Sequence, residues 1–240
     1  MPGLKYSLAV ACSLLVLPVG GGAVFAENLQ LAQLAPNDGE LTAYTGLHAA
    51  AATGDVGAIK RLISAGADLD LRDSHGRTPL MVAGFQRHRA AAAALIDGGA
   101  KLAALDHDRY DLVTISAVLN DMDILSLAIA RGAPTGLVTS PYDGTALIAA
   151  AHLGHVDIVQ ALIDGKAPLD HVNNLNWTAL IEAIVLGDGG ARHTAIVRAL
   201  IAAGANLDLA DGNGTTPLSL ARQNGHRAIA DILLRAGARP

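Results

Sequence analysis

The sequence predicts an all-α solenoid built from six stacked helix–turn–helix units, and three observations carry that expectation. A Thr-x-Leu element marks Thr45, Thr78, Thr145, Thr178 and Thr216, with Asp111 at the mark of a degenerate copy, in steps of 33, 33, 34, 33 and 38 residues. A second ruler, Gly-Ala or once Lys-Ala, begins at Gly66, Gly99, Gly132, Lys166, Gly204 and Gly237, in steps of 33, 33, 34, 38 and 33. The 240-residue chain is 51% hydrophobic and only 3% aromatic, which suits short, alanine-rich helices approaching one another closely. A fixed period of this length is the signature of repeat architectures, in which no unit buries its apolar side alone.

The long step falls between different marks on the two rulers. That places a five-residue insertion inside the fifth unit, after Thr178 and before Gly204, where the glycine-rich stretch 187–194 extends the turn between its helices. The six units occupy residues 37–240, and residues 27–36 form a lead in front of them. Unit four shows the internal logic. Leu147, Ala150 and Ala151 share one face of a first helix, Gly154 ends it, and Val156, Ile158, Val159, Leu162 and Ile163 give the apolar face of a second. Pro79 and Pro217 fit a first helical turn, where no N–H is needed. Gly at the end of the second helix suits a left-handed C-cap. Lys166 takes that place in unit four, at an expected cost of about 1 kcal/mol. Unit three, with Asp111-Leu112-Val113 at the mark and Asn120 at the turn position, has the weakest pattern for a first helix.

Residues 1–26 have the layout of a secretory signal peptide: Lys5, an apolar run over 8–17 broken only by Ser13, then Pro18 and three glycines, then Val24 and Ala26 as small residues at a cleavage site. The run is too short to span a bilayer, which takes about 20 residues. No later segment reaches that length. Cleavage would remove Cys12, the only cysteine, and leave a net charge of −6 in place of −5. The expectation is therefore a periplasmic or secreted protein, monomeric, with no stable membrane insertion and no disulfide, zinc-finger or Cys–Cys redox chemistry. With 17 Lys and Arg against 22 Asp and Glu and no basic block, a nucleic-acid partner is not expected.

The motifs Thr45-Gly46-Leu47-His48-Ala49-Ala50, Thr78-Pro79-Leu80, Thr145-Ala146-Leu147 and Thr216-Pro217-Leu218, with Gly54, Gly154, Gly187 and Gly225 nine residues past their marks, resemble the ankyrin repeat family. The resemblance extends to exported bacterial members. It implies a groove lined by short inner helices and finger loops, here 73–77, 106–110, 140–144, 173–177 and 211–215, and a non-catalytic role in binding a partner protein. It also implies that His48 braces neighbouring turns. An accessory factor for a secreted stress-defence enzyme, or a toxin-neutralising protein, is the alternative role. A metal-binding stress protein or enzyme is the less favoured one.

The aromatics outside residues 1–26 number five. Tyr44, Tyr110 and Trp177 precede a mark by one residue, Tyr142 by three, and Phe85 follows one by seven. Such positions are fingertips or groove, and aromatic side chains dominate interface hot spots. The expected partner-binding residues are thus Tyr44, Phe85, Tyr110, Tyr142 and Trp177 with Arg77, His107, Asp108 and Arg109, plus Arg192 and His193 in the insertion, whose glycines predict mobility. The opposing expectation is that rings at finger bases only shape the loops.

Other signals carry little chemistry. His152 and His155 are three apart, but Gly154 interrupts the helix between them, and His88 and His226 repeat the His155 position, which argues for a local structural job. Asp106-His107-Asp108 lacks the glycine and spacing of a calcium loop. No G-x-S-x-G occurs, the glycines at 187–190 lack the Lys-Ser/Thr of a phosphate loop, and no second carboxylate is spaced to work with Glu182. No cofactor, metal or catalytic residue is assigned.

Overall fold

The structure is a computed structural model that describes residues 35–239; the segment read as a signal peptide and most of the lead lie outside the described residues. A short helix, α1 (Asp38–Ala43), opens it. Six helix pairs follow: α2 (Gly46–Thr53) and α3 (Val56–Ser64), α4 (Pro79–Phe85) and α5 (Arg89–Asp97), α6 (Leu112–Val118) and α7 (Met122–Ala130), α8 (Ala146–Leu153) and α9 (Val156–Asp164), α10 (Ala179–Val185) and α11 (Ala191–Ala202), α12 (Pro217–Gln223) and α13 (Arg227–Arg235). Each first helix packs on its own partner and on the first helices of adjacent units; second helices pack on second helices. The result is two helical layers in register along the stack.

Each mark residue is the N-cap of an inner helix. The Thr78, Thr145, Thr178 and Thr216 hydroxyls accept from the N–H three residues on, at 3.3–3.4 Å. Asp111 does the same job better, accepting from Thr114 N at 2.8 Å. The degenerate third unit therefore forms a full helix, α6, buried along Leu112 to Ala117. At the turn after the inner helix the backbone is left-handed at Gly54, Gly154 and Gly225, and equally at Arg87 (φ 57°) and Asn120 (φ 53°). Gly187 is not part of that set. A Cβ there would lie 2.2 Å from the Ala183 carbonyl oxygen and 2.6 Å from His193 Cγ, so glycine serves close approach in that unit.

One apolar core runs from Leu47 to Ala238. The residue two past each mark (Leu47, Leu80, Val113, Leu147, Leu180, Leu218) and a second-helix row one period apart (Leu95, Ala128, Leu162, Leu200, Leu233) are all buried in it. Exposed Arg222, Gln223, Asn224, Arg227, Asp231 and Arg235 turn a polar side outward at the last unit, as the end of a stack requires.

Fingers 73–77, 106–110, 173–177 and 211–215 are closed by an N–H to C=O bond from first to last residue, at 3.0 Å in each. The fourth-unit finger carries one extra residue and closes from Thr139 N to Gly144 O at 2.7 Å. Neighbouring fingers are joined by His107 N to His75 O, Ser140 N to Arg109 O and Asn174 N to Tyr142 O.

Lys166 keeps the left-handed conformation, at φ 65°. Lys166→Gly should stabilise the stack by about 1 kcal/mol, read as a higher urea midpoint at unchanged slope. Asp111→Ala should cost about 1 kcal/mol through the lost cap, read in the same titration.

Candidate functional site

The inner-helix positions three, four and seven past each mark share one face at 3.6 residues per turn, away from the outer helices. That face and the finger bases form the candidate binding surface. In units two and three it is closed. Met81, Phe85, Tyr110 and Ile115 make a second apolar cluster there, with Ala35, Ala104 and Leu119 against it. Phe85 is 7% and Tyr110 5% exposed, and burial pushes the Tyr110 phenol up to about 12. These two rings, expected at a partner surface, fill the chain's own interior instead.

Arg77 is also interior, at 2% exposure. Its guanidinium donates to Asp73 Oδ2 at 2.7 Å and to Glu40 Oε1, and Asp73 accepts as well from the Tyr44 hydroxyl at 2.6 Å. These hydrogen bonds hold the Asp73 carboxyl down at about 2 against the opposing effect of its burial. The cluster ties α1, whose Asn37–Glu40 capping box fixes its start, onto finger two (73–77). Glu40, Asp73 and His75 bring three donor atoms within 4.8 Å of one another. The Arg77 guanidinium already supplies the positive charge between two of them. His48 Nε2 donates to the Arg77 carbonyl at 2.9 Å, the brace that the resemblance implies.

The insertion is not a loose loop. Three of its residues extend α11 to 12, against nine in α5, α7, α9 and α13, and the rest make a closed turn. Gly190 N donates to Asp188 Oδ1 at 2.8 Å, and Thr194 Oγ1 to the Gly189 carbonyl at 3.3 Å. His193 is 5% exposed, bonded through Nδ1 to Asp188 at 3.0 Å and through Nε2 to the His152 carbonyl at 3.1 Å. It is the repeat histidine carried past the insertion. His88 through Nε2 and His155 through Nδ1 likewise bond to the Ala52 and Ala117 carbonyls of the preceding unit, at 3.2 and 2.9 Å. Arg192 stays exposed.

What remains on the surface is narrower than expected. His107, Asp108 and Arg109 are exposed on the third-unit finger, with Arg109 paired to Asp143 of the next finger at 2.6 Å. Tyr44 is half-buried and committed to Asp73. Tyr142 and Trp177 are half-buried on adjacent fingers in units four and five.

Beside them lies a group that spacing alone did not mark out. Glu182 of α10 is 4% exposed. Its Oε1 accepts from Asn173 Nδ2 at 2.9 Å, while Oε2 has no hydrogen-bond partner. His152 of α8 approaches Oε2 through Nδ1 at 3.8 Å, too far for a hydrogen bond. Burial, and the nearby His193, hold the His152 imidazole down at about 4, so it is neutral at pH 7 and makes no ion pair. Burial raises the Glu182 carboxyl to about 7, opposed by the Asn173 hydrogen bond. A signal was present: among the residues four past the marks, Ala49, Val82, Ile115, Ala149 and Leu220 accompany this lone acid.

A carboxyl raised in the fold resists ionisation there but not in the unfolded chain. Stability should therefore fall as pH climbs from about 4.5 to about 7 and level off above. Glu182→Gln should remove that slope, gaining about 3 kcal/mol over wild type at pH 8 and little at pH 4. Urea unfolding at the two pH values measures the difference, and equal gains would exclude an ionisation penalty at Glu182.

The comparisons with known proteins agree with this architecture. The family described as "Ankyrin repeats (3 copies)" matches residues 21–106 and 114–191, and "Ankyrin repeat" matches residues 213–240. The chain is 36% identical over 190 residues to the ankyrin repeat protein YahD of Escherichia coli (strain K12), covering 79% of this chain and 94% of that one. It is similar to the crystal structure of an ankyrin repeat domain from Acinetobacter baumannii AYE, with a TM-score of 0.77 at 44% identity over 80% of this chain and 98% of that one. It shares its fold with a chain from the structure of a Bdellovibrio bacteriovorus predatory endopeptidase in complex with an immunity protein, with a TM-score of 0.67 at 22% identity over 80% of this chain and 98% of that one. The chain belongs to the ankyrin repeat family, a fold of protein-interaction modules.

Proposed function

We propose that this chain is an exported, non-catalytic binding module that holds a partner protein on the inner-helix and finger face of units four and five. The observation that carries the reading is the contrast along one surface. Phe85 and Tyr110 are spent on an internal cluster in units two and three, whereas Tyr142 and Trp177 keep exposed area on fingers locked together by the Asn174 N to Tyr142 O bond at 2.9 Å. Half-exposed rings on a rigid frame lose little entropy on binding and give large contact area. His107, Asp108 and Arg109 extend the face toward unit three, and Arg192 lies beyond it on the insertion. The net charge of −6 left after removal of residues 1–26 favours basic or neutral partners through the long-range field.

Export rests on the three-part pattern of residues 1–26. It places the partner in the periplasm or outside the cell, where supporting a stress-defence enzyme or neutralising a toxin are the two forms of binding that fit. The intact mass of the protein recovered from its own cells should correspond to a chain beginning at Glu27, and recovery with Met1 retained would contradict cleavage after Ala26 and leave an N-terminal anchor as the alternative.

Crosslinking in that compartment, followed by identification of the captured protein, tests the binding role. Tyr142→Ala with Trp177→Ala should abolish capture and leave the helical circular dichroism unchanged. Phe85→Ala or Tyr110→Ala should instead lower stability, by about 3 kcal/mol for the phenylalanine. Undiminished capture by the Tyr142/Trp177 variant would overturn the assignment of the face.

A further inference from the structure

We propose that the Glu182 carboxylate is the floor of a subsite that receives one basic side chain, arginine or lysine, from the bound protein. This deepens the proposed binding function and rests on it. Three features of the molecule support it. The fold does not require an acid at this register, since every other unit places an apolar residue there (Ala49, Val82, Ile115, Ala149, Leu220).

The neighbouring finger is adapted to the acid. Fingers two, three and six begin with Asp73, Asp106 and Asp211, whose Oδ1 atoms accept backbone N–H bonds. Finger five begins with Asn173. Its Oδ1 keeps those bonds, from Leu175 N at 3.0 Å and Trp177 N at 2.9 Å, and its Nδ2 donates to Glu182 Oε1 at 2.9 Å. An aspartate here would set a second carboxylate against the first. Asparagine instead anchors one oxygen and fixes the direction of the other.

That other oxygen, Oε2, has no hydrogen-bond partner on a side chain that is 5% exposed. Buried carboxylate oxygens normally find a donor, and one left open is matched best by a charge-assisted N–H. The group over it is the His152 imidazole, 3.8 Å away on the adjacent inner helix and 33% exposed. Oε2 thus lies 3.8 Å from a ring that reaches the surface, next to the finger that carries Trp177. Displacing that ring opens the carboxylate to an ammonium or guanidinium. His193 and Asp188, the other ionisable groups here, are bonded to each other at 3.0 Å, and His193 Nε2 is bonded to the His152 carbonyl.

The test uses the whole folded chain at pH 8 and a blocked Gly-Arg-Gly peptide, with the Gly-citrulline-Gly peptide as its uncharged isostere. Amide chemical shifts of His152 and Ala183 are followed by NMR. Saturable shifts with the arginine peptide, absent with citrulline and absent in Glu182→Gln, support the subsite. His152→Ala should bind the arginine peptide several-fold more tightly, because the covering ring is gone; weaker or equal binding counts against the proposal. Circular dichroism and urea midpoints of both variants establish that they are folded. Equal responses to the two peptides, or the same response in wild type and Glu182→Gln, overturn it. Partner capture that survives in Glu182→Gln but fails in the Tyr142/Trp177 variant would reject the subsite while leaving the binding face standing.

Discussion

A pair of short helices has more apolar surface than it can hide. In this chain each pair offers a leucine or valine from the first helix and a leucine or alanine from the second to the core it shares with its neighbours. A neighbouring unit, one period away with the same spacing, completes their cover, so that even Leu218 and Leu233 of the last unit are buried. That constraint explains why the core is continuous from Leu47 to Ala238 and why the period is kept so strictly. A residue gained or lost inside a helix would turn its apolar row away from the neighbour. The extra residues of units four and five accordingly fall in a finger and around an inter-helix turn.

The same constraint makes individual positions forgiving where the backbone geometry is preserved. Asp111 replaces a threonine and caps its helix through a shorter bond. Arg87 and Asn120 adopt the left-handed turn that glycine adopts elsewhere. His193 reaches the preceding unit's carbonyl from five residues further along than its counterparts, because three residues of added helix and a tight Asp188-anchored turn bring it back into place. What is preserved is the local geometry (the helix cap, the left-handed turn and the histidine bond to the preceding unit), whichever residue supplies it.

The period and the two-helix units were legible in the sequence, because they are set by spacing and by turn chemistry; the fourth finger, read as 140–144, closes one residue earlier at Thr139. The binding surface was less so. Tyr110 and Trp177 occupy the same place relative to their marks, yet one is buried and the other half-exposed; the difference comes from Ala35 and Met81 closing over units two and three, a tertiary event that no local pattern records. Arg77 read as a fingertip cation and proved to be the centre of an ion-paired cluster, since Glu40 of α1 folds onto the finger that holds both Arg77 and Asp73. Glycines 187 and 189 read as hinges, and they are places where a Cβ would strike the His193 and His226 rings. Glu182 was visible as an oddity of register, but its significance depends on Asn173 in a finger and His152 in another unit.

The dependence of each unit on its neighbours can be measured directly. A synthetic peptide spanning residues 139–172, which holds α8 and α9 with their finger, should give a coil-like far-ultraviolet circular dichroism spectrum in buffer, although the same residues are helical in the whole chain. A peptide that is as helical alone as it is in the stack would contradict the account at its foundation, since the apolar faces of that pair would then need no partner.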